Sequence, residues 1–423
     1  MLVGFAMFFF VGYAQSQTAQ SVLTPPNTSA SPNFVGLSNG TMSGSQNISK
    51  VNVHTLLYPG NTTKVLVHYL PWWNGSPRSN GIITGYKSND PTYANRLFTD
   101  LTSRGVDGVV IDWYGQTDFT DAAWQVSMPV LAKFPKLSFS IMIDAGSFNF
   151  NPCAGCDINA TVLNNLAYME QKYFPSSQYL KYNGHPVVTE FGITALPGVD
   201  WAKIQAAHPE IYWIHLDNAV ATSGFDIPSS AGSFLWIDPP PASSPKSSTA
   251  SMSQPNYFYT RAQTEPSKVA FGAAFSGFNN SLASWNGGTP QTIPQACGAT
   301  WLSTFSTVNT YYSASKQLPF LQLVTWDDYE EGTALETGID SCATIGATVS
   351  KGKRQINISV THVENIDHLE LYSRSSTGAF NLTNTVAPTM ANIPITGAQG
   401  TYYLKAVGKP FMKNVLSAPI VVN

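Results

Sequence analysis

From residue 64 onward the chain alternates between two textures. Short runs rich in β-branched and aromatic residues are separated by longer stretches whose apolar residues recur at helical spacing. The runs are KVLVHYLPWW (64–73), GVDGVVIDWYG (105–115), LSFSIMIDAG (137–146), HPVVTEFG (185–192), IYWIHLD (211–217), GSFLWID (232–238), KVAFGAAFSGF (268–278) and LPFLQLVTWDD (318–328). The clearest helical intervals are 90–104, 119–134, 160–173, 200–208 and 297–316, while the helix after the fifth run is weak. Near-continuous apolar runs belong to strands covered on both faces, so a parallel sheet wrapped by helices is expected. Eight such units predict an α/β fold, a (β/α)8 TIM barrel over residues 51–347, with a doubly wound open sheet as the alternative.

The texture changes near residue 348. QINISVTHV, HLELYSRS, AFNLTN, TYYLKAVG and APIVVN are short alternating segments with turn residues between them. They predict that residues 348–423 form a small all-β sandwich of immunoglobulin-like or fibronectin-like type. Residues 17–50 are rich in Ser, Thr, Asn, Gly and Pro and read as a low-complexity linker. Before them, LVGFAMFFFVGYA (2–14) has the length of a signal-peptide core, with small residues following. A signal peptide over 1–16 and a secreted or periplasmic protein are expected, with an uncleaved anchor as the alternative.

Four cysteines suit an exported chain. The sequence permits three pairings, and we expect Cys153–Cys156 and Cys297–Cys342. A redox C-x-x-C pair would open a helix in a thioredoxin-like unit, and a zinc site would need two further ligands nearby. No metal or cofactor is expected. Sequons occur at Asn47, Asn61 and Asn159.

A net charge of −3 with no long basic run argues against nucleic acid as a partner. Aromatic residues make up 12% of the chain, which serves either a core or a cleft with flat walls for sugar rings. No H-E-x-x-H pair or Gly-rich phosphate loop is present, and the one G-x-S-x-G pattern, Gly36 to Gly40, lies in the low-complexity stretch and not at a strand end. Polar residues instead gather where the strands end, the reactive face of such barrels. His68, Tyr69, Trp72 and Trp73 end the first run; Asp112, Trp113 and Tyr114 the second; Asp144 the third; Glu190 the fourth. His215 and Asp217 end the fifth, Trp236 and Asp238 the sixth, and Asn279 follows the seventh. The eighth delivers Asp327, Asp328, Glu330 and Glu331, four carboxylates in five positions of a chain that is only 11% charged. A bowl of carboxylates with indole walls fits glycoside hydrolysis, which needs one proton-donating acid and one ionised partner. Asp328 and Glu331 are three apart, so a helical turn would set them side by side. A calcium site and a plain solvated turn are the alternatives, although no EF-hand spacing is found.

At these residues the sequence resembles glycoside hydrolase families 71 and 99 and the related 71/99-like proteins. The W-N-D-Y-x-E motif of family 71 is matched by Trp326, Asp327, Asp328, Tyr329, Glu330 and Glu331. The N-E-W-H-E-G-T motif of family 99, with its further Glu, is met by Asp327 to Thr333 and Glu336. The H-Y-x-P-W start of family 99 is matched by His68, Tyr69, Pro71 and Trp72. Gly105, Asp107, Gly108, Trp113, Tyr114 and Gly115 follow the second-strand pattern, and Gly184 to Val188 the fourth-strand one. The resemblance spans residues 64 to 345 and stops before the C-terminal domain. It implies Glu331 as general acid and Asp328 as base, acting on water or on the sugar's own 2-hydroxyl. It also implies an Asp near the second strand, Asp107 or Asp112, of which Asp112 lies at the strand's end. Glu330 departs from both families by adding charge. The expected protein is an exported hydrolase of α-linked polysaccharide or oligosaccharide of the α-1,3-glucan or α-mannan type, with His68, Tyr69, Trp72, Trp73, Trp113, Tyr114, Asp144, Glu190, His215, Asp217, Trp236, Trp326, Tyr329 and Glu330 lining the substrate site. A non-catalytic glycan-binding protein on the same barrel is the alternative.

Overall fold

The computed structural model of the chain describes residues 22–23, 47–217, 223–244, 247–350, 354–397 and 399–423. The expected signal peptide and most of the expected linker lie outside them. Eight parallel strands close into a ring: β1 (Lys64–Tyr69), β2 (Gly108–Trp113), β3 (Ser138–Asp144), β4 (His185–Phe191), β5 (Tyr212–Leu216), β6 (Gly232–Phe234), β7 (Val269–Phe275) and β8 (Phe320–Val324). Each pairs with the next in sequence, and β8 pairs back onto β1 through Leu321 with Val65 and Leu323 with Val67. The barrel is therefore the closed (β/α)8 form and not an open sheet.

Helices α1 (Pro91–Ser103), α2 (Phe119–Leu131), α3 (Ile158–Lys172), α4 (Trp201–Ala207), α5 (Ser253–Thr264) and α6 (Ala299–Tyr311) surround it. The first four are capped by Asp90, Asp118, Asp157 and Asp200, whose carboxylates accept backbone N–H groups that the helix leaves unpaired. Between β5 and β6 the described residues hold only the short turn Gly224–Asp226, which is the degenerate fifth unit expected from the pattern. Helix α5 was not expected; it buries only Pro255, Phe258 and Tyr259, and most of its other side chains are polar.

Side chains alternate along each strand, so each strand feeds two layers. Leu66, Val110, Met142, Ile214, Phe234, Phe271 and Phe320 pack inside the ring. Val65, Val67, Val109, Ile111, Ile141 and Ile143 pack against the helices. Both layers are apolar, which is why the runs read as continuous.

The C-terminal unit is all β. Strands β9 (Ile345–Val349), β10 (Gln355–Val360) and β13 (Asn392–Pro394) form one antiparallel sheet. Strands β11 (Ile366–Arg374), β12 (Phe380–Val386), β14 (Gly400–Gly408), β15 (Val415–Leu416) and β16 (Ile420–Val422) form a second. Their shared core includes Ile356, Leu369, Leu371, Ile393 and Leu404, giving the sandwich that the alternating segments predict. Both cysteine pairs close as expected, Cys153 with Cys156 and Cys297 with Cys342. The sequon side chains are engaged: the amides of Asn47, Asn61 and Asn159 donate to the carbonyls of Asn414, Tyr58 and Gly198. Among the described residues no helix is long and apolar enough to cross a membrane.

Candidate active site

The alternation that builds the barrel also sorts the polar strand ends. His68, Asp112, Asp144 and Trp236 continue the inward-facing series of their strands and converge on the C-terminal mouth of the ring. The His68 ring meets Trp236 edge-on at 4.7 Å, and its Nε2 lies 3.9 Å from Asp112 Oδ2. Burial lowers the His68 pKa to about 3, so the imidazole is neutral at working pH. Burial likewise raises the Asp112 carboxyl to about 8, partly offset by a hydrogen bond from Tyr114. Asp144 is raised too, by burial and then by the nearby Asp112, while its Oδ1 accepts the Gly146 N–H. A Cβ on Gly146 would lie 2.7 Å from the Tyr114 ring, so only glycine lets that ring lie against the turn.

The turn after β8 supplies the rest. The Asp328 N–H donates to Thr325 Oγ1, and Asp328 Oδ1 accepts the Glu331 N–H at 2.9 Å. That second bond closes a three-residue turn between the two acids. Burial raises Asp328 to about 7 and Glu331 well above the usual carboxylate range, the latter also by the charge of Asp328 and, less strongly, of Asp112. Glu331, partly buried, thus feels both the Asp328 and the Asp112 carboxyls, each of which is buried. Two residues that sequence reasoning missed complete it. Trp285 stands 45% exposed at the rim beside Glu331, and Arg78 lays its guanidinium 3.8 Å above the Trp72 ring. Neither sits on a strand or in a motif; both come from loops, after β7 and β1, that no periodicity marks.

Nine expected site residues are placed elsewhere. Tyr69, Trp113 and Trp326 face the helices: Tyr69 packs by Tyr93, Trp113 donates to Asp121 Oδ1, and Trp326 donates to the Tyr93 hydroxyl. Trp73 donates to the Asp327 carbonyl and packs on Tyr329, whose own hydroxyl donates to Glu336. Glu190 and His215 are one residue out of phase with the inward series and meet behind the ring at 3.4 Å. Glu190 spends its oxygens on the turn that follows, accepting from Ile193 N, Thr194 N and Thr194 Oγ1. Asp217 leans outward toward Ser223 and Arg261. Glu330 is wholly buried, its Oε1 accepting the Ser79 N–H and its Oε2 paired with Arg78 at 3.3 Å. Asp107, the second-strand alternative, sits at the opposite end of the ring, where it accepts the Val65 N–H and pairs with His54. A separate cavity of about 450 Å3, lined by Asp238, Pro240, Phe275, Ile293 and Pro294 among others, holds none of Asp112, Asp328 or Glu331.

No family model and no curated protein matches the sequence. Among solved structures the chain is similar to a glycoside hydrolase family 99 endo-α-mannosidase from Bacteroides thetaiotaomicron in complex with Bis-Tris propane. The TM-score is 0.49 at 16% identity, covering 65% of this chain and 87% of that one. A second structure of a family 99 endo-α-mannosidase from that organism gives 0.48 at 16% identity, covering 64% and 87%. A glycoside hydrolase-like protein gives 0.39 at 12% identity, covering 65% and 87%.

Proposed function

We propose that the chain is an exported glycoside hydrolase that cleaves α-linked polysaccharide of the α-1,3-glucan or α-mannan type. The observation that carries the reading is the Asp328–Glu331 pair: two carboxylates joined by one turn, Asp328 buried and Glu331 partly buried, with the buried Asp112 of β2 acting on Glu331. Two like charges so placed do not both ionise easily, so one keeps its proton. Glu331, which burial and the charge of Asp328 hold well above the usual carboxylate range, is the general acid, handing its proton to the glycosidic oxygen as that bond breaks. Asp328 has one oxygen fixed by the Glu331 N–H, which leaves the other to accept a proton from water or from a sugar hydroxyl. Asp112, once ionised, stabilises the positive charge that develops on the sugar ring. Trp72, Tyr114, Trp236 and Trp285 supply flat faces for the sugars. Two disulfides suit an oxidising compartment and support the reading of export.

Replacing the acid tests the assignment. In Glu331→Gln, kcat/KM on a responsive α-glycan should fall roughly 10²- to 10⁴-fold, the usual share of general acid catalysis, with thermal stability kept. Undiminished turnover on α-1,3-glucan or α-mannan, followed by reducing-end release, sinks the role of Glu331. Binding without cleavage by the wild-type protein across the α-glycans would transfer the chain to the glycan-binding class.

A further inference from the structure

Glu330 is the residue that the family resemblance leaves unexplained, and its place in the structure leads to Arg78. Glu330 is wholly buried yet acidic, and both its oxygens point at one loop: Oε1 to the Ser79 N–H at 2.9 Å and Oε2 to Arg78 Nη2 at 3.3 Å. The loop is fastened a second time. Asn80 Nδ2 donates to the Leu282 carbonyl at 2.6 Å, and the hydroxyls of Ser79 and Ser284 meet at 3.1 Å. These bonds clasp the loop after β1 to the loop after β7, over the turn that carries Asp328 and Glu331. Arg78 is thereby pressed flat on Trp72, and the buried Nε–H of Arg78 and the indole N–H of Trp72 have no acceptor among the described residues. The fold has oriented this cation without using up its donors.

We propose that Arg78 is a positioning residue of the acid bowl: clasped by Glu330 and stacked on Trp72, it holds Asp328 as the anionic member of the Asp328–Glu331 pair. The proposal rests on the hydrolase reading for its catalytic consequence, but not for the ionisation itself. Asp328 sits among acids: Asp327, Glu330 and Glu331 share its turn, and Asp112 of β2 acts on Glu331 and, like Asp328, on the neutral Tyr114. Arg78 is the cation acting on it, and it acts on Asp112 and Tyr114 as well. A positive charge beside a carboxyl favours the ionised form. Burial already raises Asp328 to about 7, against the Glu331 N–H bond first and the Arg78 charge after it; without Arg78 the carboxyl would rise further, and the pair would hold two protons where catalysis needs one.

The test reads ionisation directly. Full-length protein carrying 13C at the Asp side-chain carboxyl is titrated by NMR, with Asp328→Asn to assign the resonance. In Arg78→Gln the Asp328 midpoint should rise by roughly one pH unit or more, the effect of losing an opposite charge at close range. Arg78→Lys, which keeps the charge, should restore most of the shift. Glu330→Gln, which removes an acid but leaves an acceptor for Ser79, should move the midpoint down. A purely structural role would not produce shifts of opposite sign. An unmoved midpoint in Arg78→Gln, or shifts of the same sign in Arg78→Gln and Glu330→Gln, overturns the proposal. The acid limb of kcat/KM should move with the Asp328 midpoint. Should the midpoints shift as stated while the wild-type protein cleaves no α-glycan, Arg78 keeps its role and the hydrolase reading alone falls.

Discussion

Asp112 is almost wholly buried, and burial holds its carboxyl up to about 8. An unfolded aspartate titrates at about 3.9. Between these values the unfolded chain sheds a proton that the folded chain keeps, so the stability present below about pH 4 is lost as the pH rises toward 8. Asp112→Asn removes that dependence. Its melting temperature should exceed the wild-type value by a margin that grows from pH 5 to pH 8. Thermal unfolding at the two pH values checks this, and a shrinking margin would contradict it. His68, 3.9 Å away, acts with the opposite sign. Its pKa is lowered to about 3, so its contribution is present above the ordinary histidine range and lost as the pH falls through the acid range. At this scale the sequence revealed the acids but not their directions. Asp112 and Trp113 are adjacent and both polar-tipped, yet period two sends one into the bowl and the other to Asp121. Glu190 and His215 look like site residues for the same reason. In a barrel both faces of a strand are apolar, so hydropathy marks the strand and not which of its faces is inward.

Elements were more legible than residues, and for a physical reason. A strand buried on both faces must be apolar throughout, so eight runs stood out and all eight are strands of the ring. Helices announce themselves by an apolar stripe, and that of α5 is short: SQPNYFYTRAQT buries only Pro255, Phe258 and Tyr259 in a segment otherwise mostly polar, with a proline at its third position. Loops announce nothing, which is why Arg78 in NGSPRSN and Trp285 in SLASWNGG went unseen. One constraint at this scale is visible only in three dimensions. A Cβ on Gly232, at the start of the short strand β6, would lie 2.1 Å from the Val269 carbonyl oxygen on β7. No flexible side chain is there to yield, so the two backbones would have to part. Gly232→Ala should destabilise the protein by about 2–3 kcal/mol, toward the upper end of the overpacking range. Urea unfolding measures it, and a change below about 0.5 kcal/mol, the ordinary surface value, would show that β6 has slack.

At the scale of the whole molecule, the boundary at residue 348 marks a change of texture but not a change of core. Among the described residues no helix follows β8, and the flank between α6 and α1 is closed by other means. Ile339 and the turn at 409–414 fill it. Phe411 and Met412 are fully buried within the barrel's own apolar cluster. The Trp301 indole of α6 donates to the Pro410 carbonyl and packs on Phe411 at 5.6 Å, while Arg104, at the end of α1, lies 5.1 Å from that same ring. The Cys297–Cys342 bridge and Asn365, which donates to the carbonyls of Cys297 and Ser341, tie the two units across the same flank. Ile48 and Ser49, at the end of the expected linker, are buried there too, with the Ser49 N–H donating to the Met412 carbonyl. The sandwich therefore supplies part of the barrel's wall, in the position an eighth helix would occupy. Residues 51–347 alone should fail to give a cooperative unfolding transition, because removing the 409–414 turn uncovers Trp301 and Ile339. Phe411→Ala in the full chain makes the same point without truncation. It should cost about 3–5 kcal/mol, the range for deleting a buried aromatic ring, and unfold barrel and sandwich together. A Phe411→Ala protein whose sandwich melts separately, with the barrel transition unmoved, would show that the two units merely touch.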